Sequence, residues 1–377
     1  MQNKIVVVGA DHHNTLGVVE SFGLKGLKSY VVLYTSRKDG YVLHSKYVES
    51  GCCCSSEHDI LDCLLDNFTD TKNKAVLITT NDIVACIIDK HGQLLVNYFH
   101  IQTTHPIGSL QNWMEKEKMS VTARQVGMDV PKTWILENNN IPTDIEYPVI
   151  TKAISSVAGT KDNIRICKTE NELISFMGEK HCDIIQVQRF IDKDFEFQLI
   201  GCSINEGEIV LIPGRTHIQR PNGLDNTFFL SFDKCESEMF PLVKKATEFV
   251  RRTKYTGPFS MEFLRDKNEG KDYFTEINFR NDGNAFCVTE AGVNIPYILY
   301  LSETGGDYIH EINVSTVKKV YLCPEVYYFT RMLAQEIGIK EWFRNMRLAD
   351  CYTTYFKNDP KPFFWFLWLA IKKRCFR

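Results

Sequence analysis

The chain lacks a hydrophobic run long enough to cross a bilayer as a helix. Its longest, Phe363 to Ile371, falls far short of the roughly 20 apolar residues a span requires. It also lacks an excess of either charge. Forty-four Lys and Arg against 47 Asp and Glu leave a net charge of −3, which gives no reason to expect a nucleic-acid partner. There is no CxxC pair and no Cys/His array with structural zinc spacing, and the 13 cysteines are an odd number. They read as small apolar residues of a reduced, cytoplasmic protein, and the consecutive Cys52, Cys53 and Cys54 are poorly placed to pair among themselves. Met1 to Lys4 leads straight into a strand, with no signal-peptide core. The GxGxxG fingerprint is incomplete, because Gly9 and Gly17 do not fill it. The first turn therefore reads as a tight strand-to-helix connection rather than a dinucleotide site. Internal repeats and low-complexity segments are absent as well.

What is present is an ordinary globular composition, 44% hydrophobic and 24% charged over 377 residues, enough for two or three domains. Ile5–Val8, the helical spacing of Thr15–Lys25 and the strand Tyr30–Tyr34 form a βαβ unit, and Ile60–Asn67 with Ala75–Thr79 repeats the pattern. Residues 1–105 are thus expected to form an open parallel α/β domain. A helix over Trp113–Val126 should end at Gly127, with Pro131 beyond it. From there the pattern becomes α+β. Val149–Thr151, Ile164–Ile166, Ile184–Val187, Phe195–Ile200 and Ile209–Ile212 read as antiparallel strands. Pro241–Thr253 reads as a helix, and Phe259–Leu264 and Tyr273–Ile277 as a closing hairpin. The expected division is 1–105, 106–304 and a C-terminal extension, 305–377.

The strongest chemical signal is Phe259-Ser-Met-Glu-Phe-Leu264 followed by Phe274-Thr-Glu-Ile-Asn-Phe-Arg280. Alternate residues of a strand share a face, so Glu276, Asn278 and Arg280 are expected to point together. Glu262 joins them if the hairpin register allows. Two carboxylates and an amide oxygen suit magnesium, and an adjacent arginine suits phosphate. Taken alone, E-x-N-x-R favours a solvated strand face with alternating polar residues. The preceding Glu262 strand and the following Asn281-Asp-Gly-Asn loop favour a metal–phosphate site.

These residues resemble the ATP-grasp superfamily, whose C-terminal half carries a glutamate on one strand and E-I-N-x-R on the next. The resemblance implies a nucleotide bound between two α+β subdomains, after a leading parallel α/β domain. It implies ATP as cosubstrate and one or two magnesium ions, replaceable by manganese, held by Glu262, Glu276 and Asn278. Arg280 would contact the transferred phosphoryl group. Lys116, opening the helix in EKEKMSVTARQVGMDVP, and Lys152, in YPVITKA, match the family's nucleotide lysines; Lys118 competes with Lys116. Ser155, Ser156, Gly159 and Thr160 stand where the family has a glycine-rich phosphate flap, here with a single glycine. In IIQVQRFIDKDFEF, Gln188 takes the acidic position that faces adenine, with backbone contacts from Arg189 and Phe190, and Glu196 fits the ribose carboxylate.

The segment LIPGRTHIQRPNG offers Arg215, with His217 and Arg220, for an acidic substrate or an acyl phosphate. Asn281, Asp282 and Asn284 are candidates for the nucleophile's pocket. The overall pattern looks closest to the D-aspartate ligase and amino-acid ligase branch. That implies an ADP-forming carboxylate–amine ligase for small-molecule substrates, acting in cell-wall or surface-polysaccharide synthesis. Rival readings are a carboxylase or carbamoyl phosphate synthase-like ATP-grasp enzyme, and a non-catalytic ATP-binding sensor or scaffold. The aromatic tail KPFFWFLWLAIKKRCFR reads either as an interfacial helix on the inner membrane face or as a segment docked on its own chain or on a second copy in a homodimer.

Overall fold

In the computed structural model, residues 3–137, 140–152, 164–180, 184–218 and 229–375 are described. The N-terminal sheet contains β1 (Ile5–Gly9), β2 (Ser29–Tyr34), β3 (Val48–Cys54), β4 (Ala75–Thr79) and β5 (Phe99–His100). All its pairings are parallel, and the order is β3-β2-β1-β4-β5. Every residue of β1 and β4 is buried. Ile5 and Val7 of β1 join one core cluster, whereas Val6 and Val8 join the other. A parallel sheet covered on both faces requires such unbroken apolar strands. Helix 57–67 begins at a capping box in which Ser56 and Asp59 satisfy each other's backbone amides, and helix 82–90 begins at an Asn81 cap,.

A small antiparallel sheet follows, in the order β6-β9-β7-β8: β6 (Thr133–Glu137), β7 (Val149–Lys152), β8 (Arg165–Cys167) and β9 (Ile184–Arg189). The largest sheet contains β10 (Lys193–Ile204), β11 (Ile209–Ile218), β12 (Leu230–Asp233), β13 (Gly257–Asp266), β14 (Asp272–Asn278), β15 (Val320–Cys323) and β16 (Cys351–Tyr352). Its order is β14-β13-β10-β11-β12-β15-β16. The fold is thus the expected one, an open parallel α/β unit followed by two α+β units. The helix expected over 113–126 is broken, because Met114 and Glu115 leave helical geometry and split it into 110–113 and 116–125. Gly127 ends it at φ +82°, a conformation that glycine adopts without strain,.

The C-terminal extension is not an appendage. β15 pairs with β12, and β16 with β15, so it continues the large sheet. Its last helix, 361–375, docks on the short turn 41–44 of the N-terminal unit. Trp365 stacks on His44 at 3.8 Å and donates its indole N–H to Asp39 at 3.2 Å, while Phe366 meets Tyr41 edge-on. The tail therefore packs on its own chain. Apolar residues encircle this helix, so the opposite arc of Phe364, Trp368 and Ile371 stays exposed,. Nearby, the Glu20 carboxyl group is buried against Asp359, with the Ser45 hydroxyl donating to Glu20 at 3.2 Å. No helix among the described residues is long and apolar enough to cross a membrane.

Candidate active site

One face of the large sheet carries the acidic cluster. In the β13–β14 register, Glu262 lies opposite Glu276 and Ser260 opposite Asn278; in the β10–β13 register, Gln198 lies opposite Glu262. Cross-strand partners share a face, so these side chains converge. Gln198 and Asn278 both donate to Glu262 Oε1, at 3.2 and 3.3 Å, and Asn284 donates to Gln198 Oε1 at 2.8 Å. This chain of amides holds one oxygen of Glu262 in place. Burial lifts the Glu262 carboxyl group to about 8, with Glu276 and Asp282 adding to the effect. Two opposed carboxylates and an amide, in a site that penalises their uncompensated charge, form a donor set that fits a hard divalent cation.

Arg280 sits just past the end of β14. Its guanidinium donates to Asp82 Oδ1 at 3.1 Å and to Asp282 Oδ2 at 3.2 Å. Burial works against its charge, but Asp82, Asp282 and Glu262 outweigh burial and keep it protonated. Asp282 is fixed in turn by the Ser260 hydroxyl at 2.9 Å.

The second wall comes from the N-terminal unit. A cleft of about 450 Å³ is lined by Glu196, Gln198, Glu262, Glu276, Arg280 and Asp282 on one side. On the other it is lined by Ala10, His12, His13 and Asn14 after β1, and by Thr80, Asn81 and Asp82 after β4. The sheet order reverses between β1 and β4, and ligands of open α/β sheets lie outside the carboxyl ends of strands at such a switch point. Asn14 and Asn281 lock the walls together: Asn14 Nδ2 donates to the Asn281 carbonyl at 2.6 Å, and Asn281 Nδ2 to Asn14 Oδ1 at 2.7 Å. Burial lowers the pKa of both histidines, helped at His12 by Arg280 and at His13 by His12. Reading the sequence by motif missed this wall. The strand order was the signal that could have found it.

The other expected residues divide clearly. Lys116 is the first residue of helix 116–125; burial lowers its pKa and Glu276 opposes that shift. Lys118 turns instead onto the Trp113 ring, at 3.9 Å. Glu196 lines the cleft and pairs with Lys193. Gln188 is buried on β9 and donates to the Thr133 hydroxyl at 3.1 Å. Lys152, ending β7, is the register partner of Gln186, which stands two positions before Gln188 on β9. Ser155, Ser156, Gly159, Thr160 and Arg220 lie outside the described residues.

One expectation needs correction. Arg215 is opposite Leu199 in the β10–β11 register. Strand alternation therefore turns it away from Gln198 and the acidic face, onto the Phe195 and Phe197 rings and Met239,. His217 follows it, stacked on Phe195 at 4.2 Å. The backbone amides of Arg189 and Phe190 are already committed, donating to the carbonyls of Lys132 at 2.8 Å and Pro148 at 3.0 Å. Neither amide can meet a base edge without breaking that bond, so a backbone contact from this segment falls to the carbonyl oxygens. The Arg189 side chain reaches Glu269 and the Tyr273 hydroxyl at the β13–β14 hairpin, tying the small sheet to the large one.

No protein-family model and no curated protein matches the chain. Its fold matches solved structures. An L-amino acid ligase from Bacillus licheniformis superposes with a TM-score of 0.62 at 17% identity, covering 81% of this chain and 74% of that one. The biotin carboxylase domain of Hydrogenobacter thermophilus 2-oxoglutarate carboxylase, a dimer in complex with MgADP, ADP and bicarbonate, gives 0.62 at 18% identity, with 81% and 70% covered. N5-carboxyaminoimidazole synthetase from Staphylococcus aureus gives 0.59 at 13%, with 81% and 80% covered. With three sheets in this order and these neighbours, the chain has the ATP-grasp fold.

Proposed function

We propose that the chain is an ATP- and magnesium-dependent ligase that activates a carboxylate by phosphorylation and passes the acyl group to an amine. The observation that carries this reading is the direct pairing of Glu262 with Glu276, with Asn278 and Arg280 beside them, at the floor of a cleft closed by the N-terminal unit. Glu262, Glu276 and Asn278 would hold one or two magnesium ions. Bound magnesium would neutralise the triphosphate and favour transfer of its terminal phosphoryl group. Lys116 and Lys152 would supply positive charge toward the phosphates, Ser155, Ser156, Gly159 and Thr160 would serve as their flap, and Gln188 would meet the adenine edge and Glu196 the ribose. Any backbone contact from Arg189 and Phe190 runs through their carbonyl oxygens.

The substrate carboxylate attacks the γ-phosphorus, ADP leaves, and the amine displaces phosphate from the acyl phosphate. Arg280, held from two sides, is preorganised for the charge that develops at that carboxylate and needs no rearrangement to meet it. His12 and His13, favoured neutral by burial, fit the amine side, where one could accept the proton the attacking amine loses. An amino acid as the carboxylate substrate accords with the amino-acid ligase neighbour. The exposed arc of Phe364, Trp368 and Ile371, with Lys372 over the Trp368 ring at 5.0 Å, supports peripheral contact with a membrane bearing a lipid-linked acceptor.

The test is to incubate the full chain with ATP, magnesium and pools of amino acids and amines. ADP and phosphate release that depends on both pools is expected. Release of AMP and pyrophosphate would contradict the acyl phosphate, and stimulation by bicarbonate alone would identify a carboxylation instead.

A further inference from the structure

Strand β3 and helix 57–67 bring three thiols together, well separated in the sequence from the residues lining the cleft. Cys52 and Cys54 are two apart on β3 and share a face, while helix 57–67 returns along that face and presents Cys63,. The Cys52 and Cys63 sulfurs are 2.7 Å apart and those of Cys52 and Cys54 3.9 Å apart. All three lie within 4.8 Å of one another, and no other group of three potential ligands among the described residues meets that limit. Cys53, between them, points to the other face and cannot join.

Packing of apolar thiols does not explain this arrangement well. The closest approach, between Cys52 and Cys63, is made by two half-exposed residues rather than buried ones. The surroundings also hold the cluster in shape. Asp59 accepts from the Ser55 amide at 2.9 Å, the Ser55 hydroxyl at 2.9 Å and the Ser56 amide at 3.0 Å, pinning the start of the helix that carries Cys63. The Cys54 thiol donates to the Asp59 carbonyl at 3.4 Å. Cys54 belongs to the buried core on this side of the sheet, and Cys52 and Cys63 pack against that core, as do Tyr30, Tyr34 and Leu61.

We infer that Cys52, Cys54 and Cys63 form a thiolate site for a soft, closed-shell metal cation, Cu(I) or Zn(II). Metal–sulfur bonds of about 2.3 Å place two ligating sulfurs about 3.7–4.0 Å apart. The Cys52–Cys54 separation already matches, and Cys63 needs to withdraw from Cys52 by roughly 1 Å. Three thiolates satisfy trigonal Cu(I) outright. Zn(II) would complete a tetrahedron with water, reachable because Cys52 and Cys63 are half-exposed,. Each thiol releases its proton to solvent as the metal–sulfur bond forms, with no change of oxidation state.

The test uses the full chain, fully reduced under anaerobic conditions. Zn(II) is titrated against a chromophoric chelator and Cu(I) against bicinchoninate, and alkylation of each cysteine is mapped by mass spectrometry with and without metal. One equivalent of one cation should bind and shield Cys52, Cys54 and Cys63 together, while half-exposed Cys235 stays reactive. Cys63→Ser should weaken binding at least about 100-fold and leave ATP turnover unchanged. The shielding pattern is read on the native chain, so it stands even if the variant folds poorly. Uptake below a tenth of an equivalent of both cations, shielding of other cysteines, or a Cys52–Cys63 disulfide forming under peroxide in a chain that takes up no metal would each overturn the inference.

Discussion

The two walls of the cleft are built by different means. The sheet wall comes from consecutive strands, β13 and β14, whose alternation lines up Glu262, Glu276 and Asn278 within one hairpin. The N-terminal wall comes from two separate loops, after β1 and after β4, which only the strand order brings together. A hairpin can be read from sequence because its partners are neighbours in the chain. A switch-point wall cannot, because its residues become neighbours only once the sheet is assembled. The first wall carries the charge expected to bind metal and phosphate. The second offers neutral donors and acceptors, plus Asp82 against Arg280.

The sharpest way to test this division is Glu276→Gln, which removes a carboxylate from the sheet wall and keeps its shape. ATP turnover should fall by about 10³-fold or more, with a melting temperature close to that of the native protein. Turnover near native would break the assignment of the sheet wall. Arg280→Met should come next, because it acts on both walls. It leaves Asp282 buried and unpaired, costing about 3 kcal/mol in urea unfolding, the low end of the range because Asp82 opens to solvent,. Asp82→Asn keeps the Asp282 partner. It should lower kcat/KM by only about 10-fold, and a loss equal to that of Arg280→Met would mean that the walls act as one unit.

A smaller effect tests the two faces of the large sheet. Arg215→Ala should change kcat by no more than about 2-fold, since the side chain packs on Phe195 and Phe197 behind the cleft,. A loss of 100-fold would return Arg215 to the site. Its case shows where sequence reading stops. An arginine near a strand end could be assigned to the right strand, but the face depended on the β10–β11 register, fixed by the pairing of Leu199 with Arg215,. The Glu262–Glu276 pairing rested on the same kind of unknown: the register shifts by one residue between Phe263 and Glu262, and this irregularity sets Glu276, rather than Thr275, opposite Glu262,. The broken helix before Lys116 was hidden for another reason. No proline or glycine marks the break, and only the geometry of Met114 and Glu115 reveals it. The thiol cluster escaped because its third member returns from a helix outside any recognised spacing.

The gentlest expected effect is on pH dependence. Burial and then Asp359 raise Glu20 from near 4.5 to about 9, and burial with Glu276 and Asp282 raises Glu262 from near 4.5 to about 8. In each case the folded chain retains a proton that the unfolded chain releases. The contribution to stability is complete below about pH 4.5 and is lost as pH rises through about 8 for Glu262 and about 9 for Glu20. Urea midpoints without nucleotide should decline from about pH 5 to pH 9, and Glu20→Gln should flatten the slope by about one proton. An unchanged slope in that variant would contradict the burial of a protonated Glu20 against Asp359. Saturating magnesium and ATP should remove the Glu262 part alone, separating the cleft from the joint between helix 13–23 and the C-terminal extension.

The pairing of two strand carboxylates as a cation site is open to direct observation. Crystals grown with ADP and manganese, measured at the manganese absorption edge, should show an anomalous peak between the carboxylates of Glu262 and Glu276, with the nucleotide phosphates beside it. A peak elsewhere in the chain, or nucleotide bound with no peak between these two residues, would contradict the account.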